Sequence, residues 1–134
     1  MTSSNAIAEL FDADHECVYN DGDPVGICID GIVRPFDNNT ELKPVEYVGV
    51  VSLNPSFILG GITGAVSKVP VAISGKICIW VNGNGNLIGK KVLFDKDKLI
   101  FRPFDRLFDS EYNGIIINVE GENKDRSLCH ILLK

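Results

Sequence analysis

From Pro24 to the C-terminus the chain is written in short apolar runs of period two, each cut off by Gly, Pro, Asn or a charged pair. That pattern confines it to β-structure, because alternate side chains of a strand face opposite sides of a sheet. The runs are PVGICID, IVRPF, EYVGVVSL, VPVAISGKICIWVN, LIGKKVLFD, LIFRPF, GIIINVEG and SLCHILL. Many short strands at close spacing predict an all-β fold, a single compact barrel-like or sandwich domain rather than an α/β sheet. Helix is confined to the start. Ser3 or Ser4 offers a cap before NAIAELFD, which reads either as one or two helical turns near residues 5 to 11 or, equally, as a strand with Ile7 and Phe11 inward.

The breaks between runs are as specific as the runs. Asp30-Gly31 supplies the positive φ of a tight hairpin turn, and the β-branched run EYVGVVSL, 46 to 53, ends at Asn54-Pro55 because proline cannot donate to a ladder. Residues 56 to 68, SFILGGITGAVSK, suit a mobile or partner-ordered loop better than a helix. Gly75 marks a kink or bulge within a long strand or strand pair, and NGNGN at 82 to 86 is the clearest turn. GNGNLIG at 83 to 89 has the glycines of a nucleotide loop but no helix after it, so it reads as a hairpin turn.

At 134 residues and 45% hydrophobic content, one core is the expectation: a single domain over 1–134, with an N-terminal arm over 1–23 and a β domain over 24–134. A net charge of −5 with scattered Lys and Arg argues against nucleic acid, whose affinity comes from clustered cations. No stretch reaches the roughly 18 apolar residues of a membrane-spanning helix, and MTSSNAIAELFDADHE lacks the form of a secretory signal, so no membrane partner is expected.

Cys17, Cys28, Cys78 and Cys129 are far apart; the last three sit in apolar runs and read as buried free thiols, pointing weakly to a reducing compartment. With no zinc-type spacing, a site using these cysteines with His15 and His130 would require the fold to gather them, and the expectation is no metal and no cofactor. Asp12, Asp14, Glu16, Asp21 and Asp23 lack the order of a calcium loop and read as solvated turn acids.

The run YVGVVSLNPSFILGG followed by VPVAISGKICIWV resembles a family: the C-terminal intramolecular-chaperone, or autoprocessing, domain of phage and viral tail-spike, neck-appendage and fibre proteins (peptidase G2-like). Its pattern Y-x-G-V-V-S-x-N-P, then P-V-A-x-S-G-[KR]-x-x-V, is met by Tyr47, Gly49, Val50, Val51, Ser52, Asn54 and Pro55, and by Pro70, Val71, Ala72, Ser74, Gly75, Lys76 and Val81. Ser3, Ala8, Glu9, Phe11 and Asp12, then GICIDG, follow its opening pattern. The likeness is strong to about residue 82 and faint beyond it. Where the family carries an acid two positions before Ala-Glu, this chain has Ala6, and its Gly-Ala after the serine is Ser4-Asn5.

The resemblance implies a homotrimer that helps an upstream β-helical or fibre stalk of the same polypeptide to fold, in the virion or in the host-cell cytoplasm during assembly. It also implies a single-turnover autoproteolysis near the N-terminus. Such cleavage uses a hydroxyl or amide beside a strained bond and a carboxylate to take the proton. Ser3, Ser4 and Asn5, with Glu9, Asp12 or Asp14, are the candidates, Ser3 as nucleophile and Asp12 or Glu9 as base. Two other readings stay open: a non-catalytic structural fibre module, and a glycan-type ligand-binding β domain built on Trp80. Residues 77, 79 and 81 share one strand face and 78 and 80 the other, and the expected place for Trp80 is a core rather than a groove.

Overall fold

Among the residues described by the computed structural model, 6–53, 57–59 (backbone only) and 68–134, the regular elements are strands. They are β1 (Ala6–Asp12), β2 (Pro24–Ile27), β3 (Val33–Pro35), β4 (Glu46–Val51), β5 (Phe57–Leu59), β6 (Lys68–Asn82), β7 (Lys91–Asp95), β8 (Ile100–Pro103), β9 (Gly114–Asn123) and β10 (Arg126–Leu133). Their order across one sheet is β3-β2-β4-β6-β10-β9-β7-β8, with β1 laid antiparallel along β6 and parallel along β5. The fold is all-β, and the sheet curls into a half-barrel.

Aromatic side chains close the curl. Phe36, just past β3, and Tyr47 on β4 meet Phe94 on β7 at ring-centroid distances of 4.8 and 5.3 Å, and Phe101 on β8 lies 5.2 Å from Phe94. Strands so far apart in sheet order touch because twist carries the ends of the sheet toward each other. The main core joins these rings to Ile77, Ile79 and Val81 of β6 and to Ile116, Cys129 and Ile131 of β9 and β10.

A second core lies on the other side of the sheet's middle. Val25, Val33, Val51, Val69 and Val71 form it, and Phe11, Ala13 and Tyr19 from the N-terminal arm pack against it. Neighbours in sequence therefore serve different cores: Val50 and Ala72 the first, Val51 and Val71 the second. That explains the unbroken apolar run of β4, since a strand covered on both faces has no reason to alternate. The arm is pinned by Arg34, only 4% exposed, whose Nε donates to Asp14 at 3.0 Å while its two terminal nitrogens fork onto Asp30 at 3.0 and 2.9 Å. Asp14 and Asp12 are thus ion-paired acids rather than merely solvated ones.

Several expectations change. Of the two readings of the start, the strand is the one found, though Ile7 is only partly buried: ladder bonds to β6 outweigh a short helix that could bury only one narrow face. Its fully buried residues are Ala6 and Ala8, which fit where β1 lies flat against its neighbours, while Phe11 packs on the second core. Within the segment expected to be a loop, Phe57–Leu59 pairs with β1. Asn82 to Asn86 is not a hairpin turn, because β6 pairs with β10 and β7 with β8 and β9; the segment is a crossover, held by Gly83 N–H donating to Asp125 O at 2.6 Å. Gly31 does form its tight turn, with φ +83° and its N–H on Cys28 O at 2.9 Å.

Candidate functional site

The residues that carry the family pattern converge where β4 and β1 flank the first half of β6. Val50 of β4 and Ala8 of β1 both pair with Ala72. Gly49 makes this approach possible: a Cβ there would lie 2.3 Å from Ala72 O and 2.9 Å from Val71 Cγ1. Ser52, fully buried, donates its backbone N–H to Pro70 O at 3.0 Å. Tyr47 sits in the aromatic group, where burial pushes its phenol pKa up. Tyr47 OH and Ser52 Oγ are buried without a hydrogen-bond partner among the described residues.

At the far end of this junction Gly75 has φ +87° and pairs with both Ala6 and Leu133. Only glycine takes that backbone shape without strain. Ser74 pairs with Ile7, and a register shift between Ile7 and Ala8 leaves Ile73 as the extra residue, so the expected irregularity near Gly75 is present. Asn54 and Pro55 lie outside the described residues.

Of the candidate cleavage residues, Ser3, Ser4 and Asn5 also lie outside the described residues. Glu9 is exposed on β1 opposite Val71. Asp12 is opposite Lys68 and accepts from its Nζ at 2.6 Å. The structure therefore holds Ala6, the residue that follows the candidate serines and asparagine, against the Gly75 bend.

The opposite half of β6 shows a second grouping, which sequence spacing could not reveal. Cys78 pairs with His130, which pairs in turn with Asn118, and two register shifts in β9 leave Glu120 as the extra residue between Val119 and Gly121 and Ile117 as the extra residue between Ile116 and Asn118. Glu120 thereby joins the other two: Cys78 Sγ donates to Glu120 Oε2 at 3.1 Å, and His130 Nε2 lies 2.7 Å from the same oxygen. Burial first, then the Glu120 carboxylate, pushes the Cys78 thiol up to about 12. Cys78 is buried as expected, yet on the outward face of the sheet.

Trp80, expected in a core, shares that outward face and is 39% exposed; Ile77, Ile79 and Val81 take the inward positions instead. Arg126 covers its ring, with the guanidinium carbon 4.4 Å from the centroid. A cavity of about 230 Å³ opens beside it, lined by Ile79, Val81, Leu99, Phe101, Pro24 and Arg126 among others.

The sequence matches no family profile and no curated protein. The fold does have solved counterparts. A crystal structure of the pre-mature bacteriophage phi29 gene product 12 aligns with the whole of this chain at TM-score 0.60 and 15% identity, and the chain spans 22% of that protein. The C-terminal fragment of the same phi29 gene product aligns with 96% of this chain and 99% of its own length, at TM-score 0.59 and 14% identity. This chain has the fold of that C-terminal fragment.

Proposed function

We propose that this chain is the C-terminal assembly module of a phage fibre or spike protein, acting in the virion or during virion assembly. In this reading it trimerises, aligns an upstream stalk of the same polypeptide for folding, and is released by one autoproteolytic cut near its own N-terminus. The observation that carries the proposal is the coincidence of two independent likenesses. The fold is that of the C-terminal fragment of phi29 gene product 12, and the pattern residues Gly49, Ser52, Pro70, Ala72 and Gly75 build one junction within it.

Within this proposal Ser3 is the nucleophile, with Ser4 and Asn5 as its neighbours, and Glu9 is the better base. On an extended strand Glu9 lies roughly 10 Å from Ala6 and Asp12 roughly 20 Å, and Asp12 already neutralises Lys68. A second reading, assembly without cleavage, is favoured by one observation: Ala6, where the family pattern carries an acid, is fully buried. The ligand-binding reading has less support, because Arg126 covers the Trp80 ring.

Intact mass spectrometry with light scattering on a precursor that keeps native upstream residues distinguishes these. Cleavage beside Ser3 or Ser4, lost in Ser3→Ala or Ser4→Ala while the trimer persists, is the expected result. An uncut trimer leaves the assembly module alone, and an uncut monomer removes both.

A further inference from the structure

Three adjacent strands, β6, β10 and β9, each contribute one metal-competent side chain to a single point on the outward face. Cys78, His130 and Glu120 offer a sulfur, a nitrogen and an oxygen that all lie within 4.8 Å of one another. The residues are not near in sequence, and none belongs to the junction that carries the family pattern.

We propose that Cys78, Glu120 and His130 form a binding site for a divalent cation of the zinc class, with one ligand atom from each residue and water in the fourth position. The dimensions suit it. Tetrahedral zinc with bonds of about 2.0 to 2.3 Å separates its ligand atoms by roughly 3.3 to 3.6 Å, so the 3.1 and 2.7 Å contacts to Glu120 need to open by a fraction of an ångström and the widest pair, within 4.8 Å, to close by about an ångström. Exposed Glu120 and half-buried His130 have room for that shift, and the bulged β9 backbone permits it.

The donor set also selects the ion. One thiolate and one carboxylate balance the charge of a divalent cation, and neutral imidazole adds none. A sulfur ligand suits a borderline ion and disfavours magnesium or calcium, which prefer oxygen. In binding, the S–H bond of Cys78 breaks and its proton leaves to solvent, the proton that His130 Nε2 holds toward Glu120 leaves to solvent from a cationic ring or moves to Nδ1 in a neutral one, and the freed sulfur and nitrogen lone pairs bond the cation; nothing is oxidised or reduced. The Glu120–Sγ hydrogen bond that now holds the thiol proton is replaced by two bonds to the same ion.

Cobalt(II) chloride titrated into the full chain with a non-thiol reductant tests the site. A sulfur-to-cobalt charge-transfer band in the near ultraviolet, with tetrahedral visible bands, is expected to saturate at one equivalent and to be displaced by zinc. Trp80 is the only tryptophan and shares the Cys78 face roughly 7 Å away, so its fluorescence falls along the same curve. Cys78→Ser abolishes the charge-transfer band, and His130→Gln and Glu120→Gln each weaken cobalt binding by about tenfold or more. His15→Gln changes nothing. Circular dichroism establishes that each variant is folded, and if Cys78→Ser is not, the two variants at exposed or half-buried positions carry the decision. No band at excess cobalt, or a band unchanged in both His130→Gln and Glu120→Gln, overturns the proposal.

Discussion

The two halves of β6, on either side of Gly75, are held by opposite means. From Lys68 to Ser74 the strand lies between β1 and β4, covered on both faces by small and β-branched residues, and the backbones come so close that Gly49 has no space for a methyl group. From Lys76 to Asn82 it has β10 on one edge, buries Ile77, Ile79 and Val81 deeply, and turns Cys78 and Trp80 outward. The first half cannot accept an added atom, whereas the second cannot lose one. Dense interiors resist both changes, through different physics: strain in one case and unfilled volume in the other.

The sharpest way to break this comparison is at the second half. Ile77→Ala removes a fully buried side chain from the main core and is expected to destabilise by about 2 to 5 kcal/mol in urea unfolding. A loss much below that range would mean the half-barrel collapses into the space. Gly49→Ala tests the first half: forcing β4 away from Ala72 is expected to cost about 1 to 3 kcal/mol. A neutral result would show that the two backbones part without penalty.

Acid probes a region outside both halves, where an ion cluster braces the β7–β8 tip. Arg102 pairs with Asp95 at 2.8 Å and with Asp109 at 2.7 Å, and this guanidinium holds the Asp109 pKa down at about 2 from 3.8. A depressed carboxylate contributes stability that is present above its unfolded value and lost as pH falls through the folded one. Stability should therefore decline between about pH 4 and pH 2, and Arg102→Gln should flatten that decline; hydrogen exchange at Phe94 and Phe101 reads it locally. The smallest effect is expected on the outward face, where Arg126→Ala removes the guanidinium from Trp80. A cost of about 0.5 to 1 kcal/mol and a red-shifted tryptophan emission would fit an exposed contact.

Much of this molecule could be read before folding. The period of two located most strands after Pro24, Asp30-Gly31 located a turn, and Gly75 located the bend in β6. The parity of 77, 79 and 81 against 78 and 80 was also legible, but not which face would be the core, since a strand with isoleucine on one side and cysteine and tryptophan on the other has two apolar faces. NGNGN was misread for a related reason: glycine and asparagine announce a change of direction, not which strand comes next. The Cys78, Glu120 and His130 grouping was hidden more deeply, because it depends on the β6–β10 register and on two bulges in β9.

The sequence by itself determined the class of structure and the breaks between strands, because local backbone preference and glycine geometry act within a few residues. Only the tertiary structure decided that the arm seals a second core, that Trp80 faces out beneath Arg126, and that a cysteine, a glutamate and a histidine meet. Those outcomes depend on which strands become neighbours and in what register, and long-range pairing is chosen by burial of the whole sheet rather than by any one stretch of it.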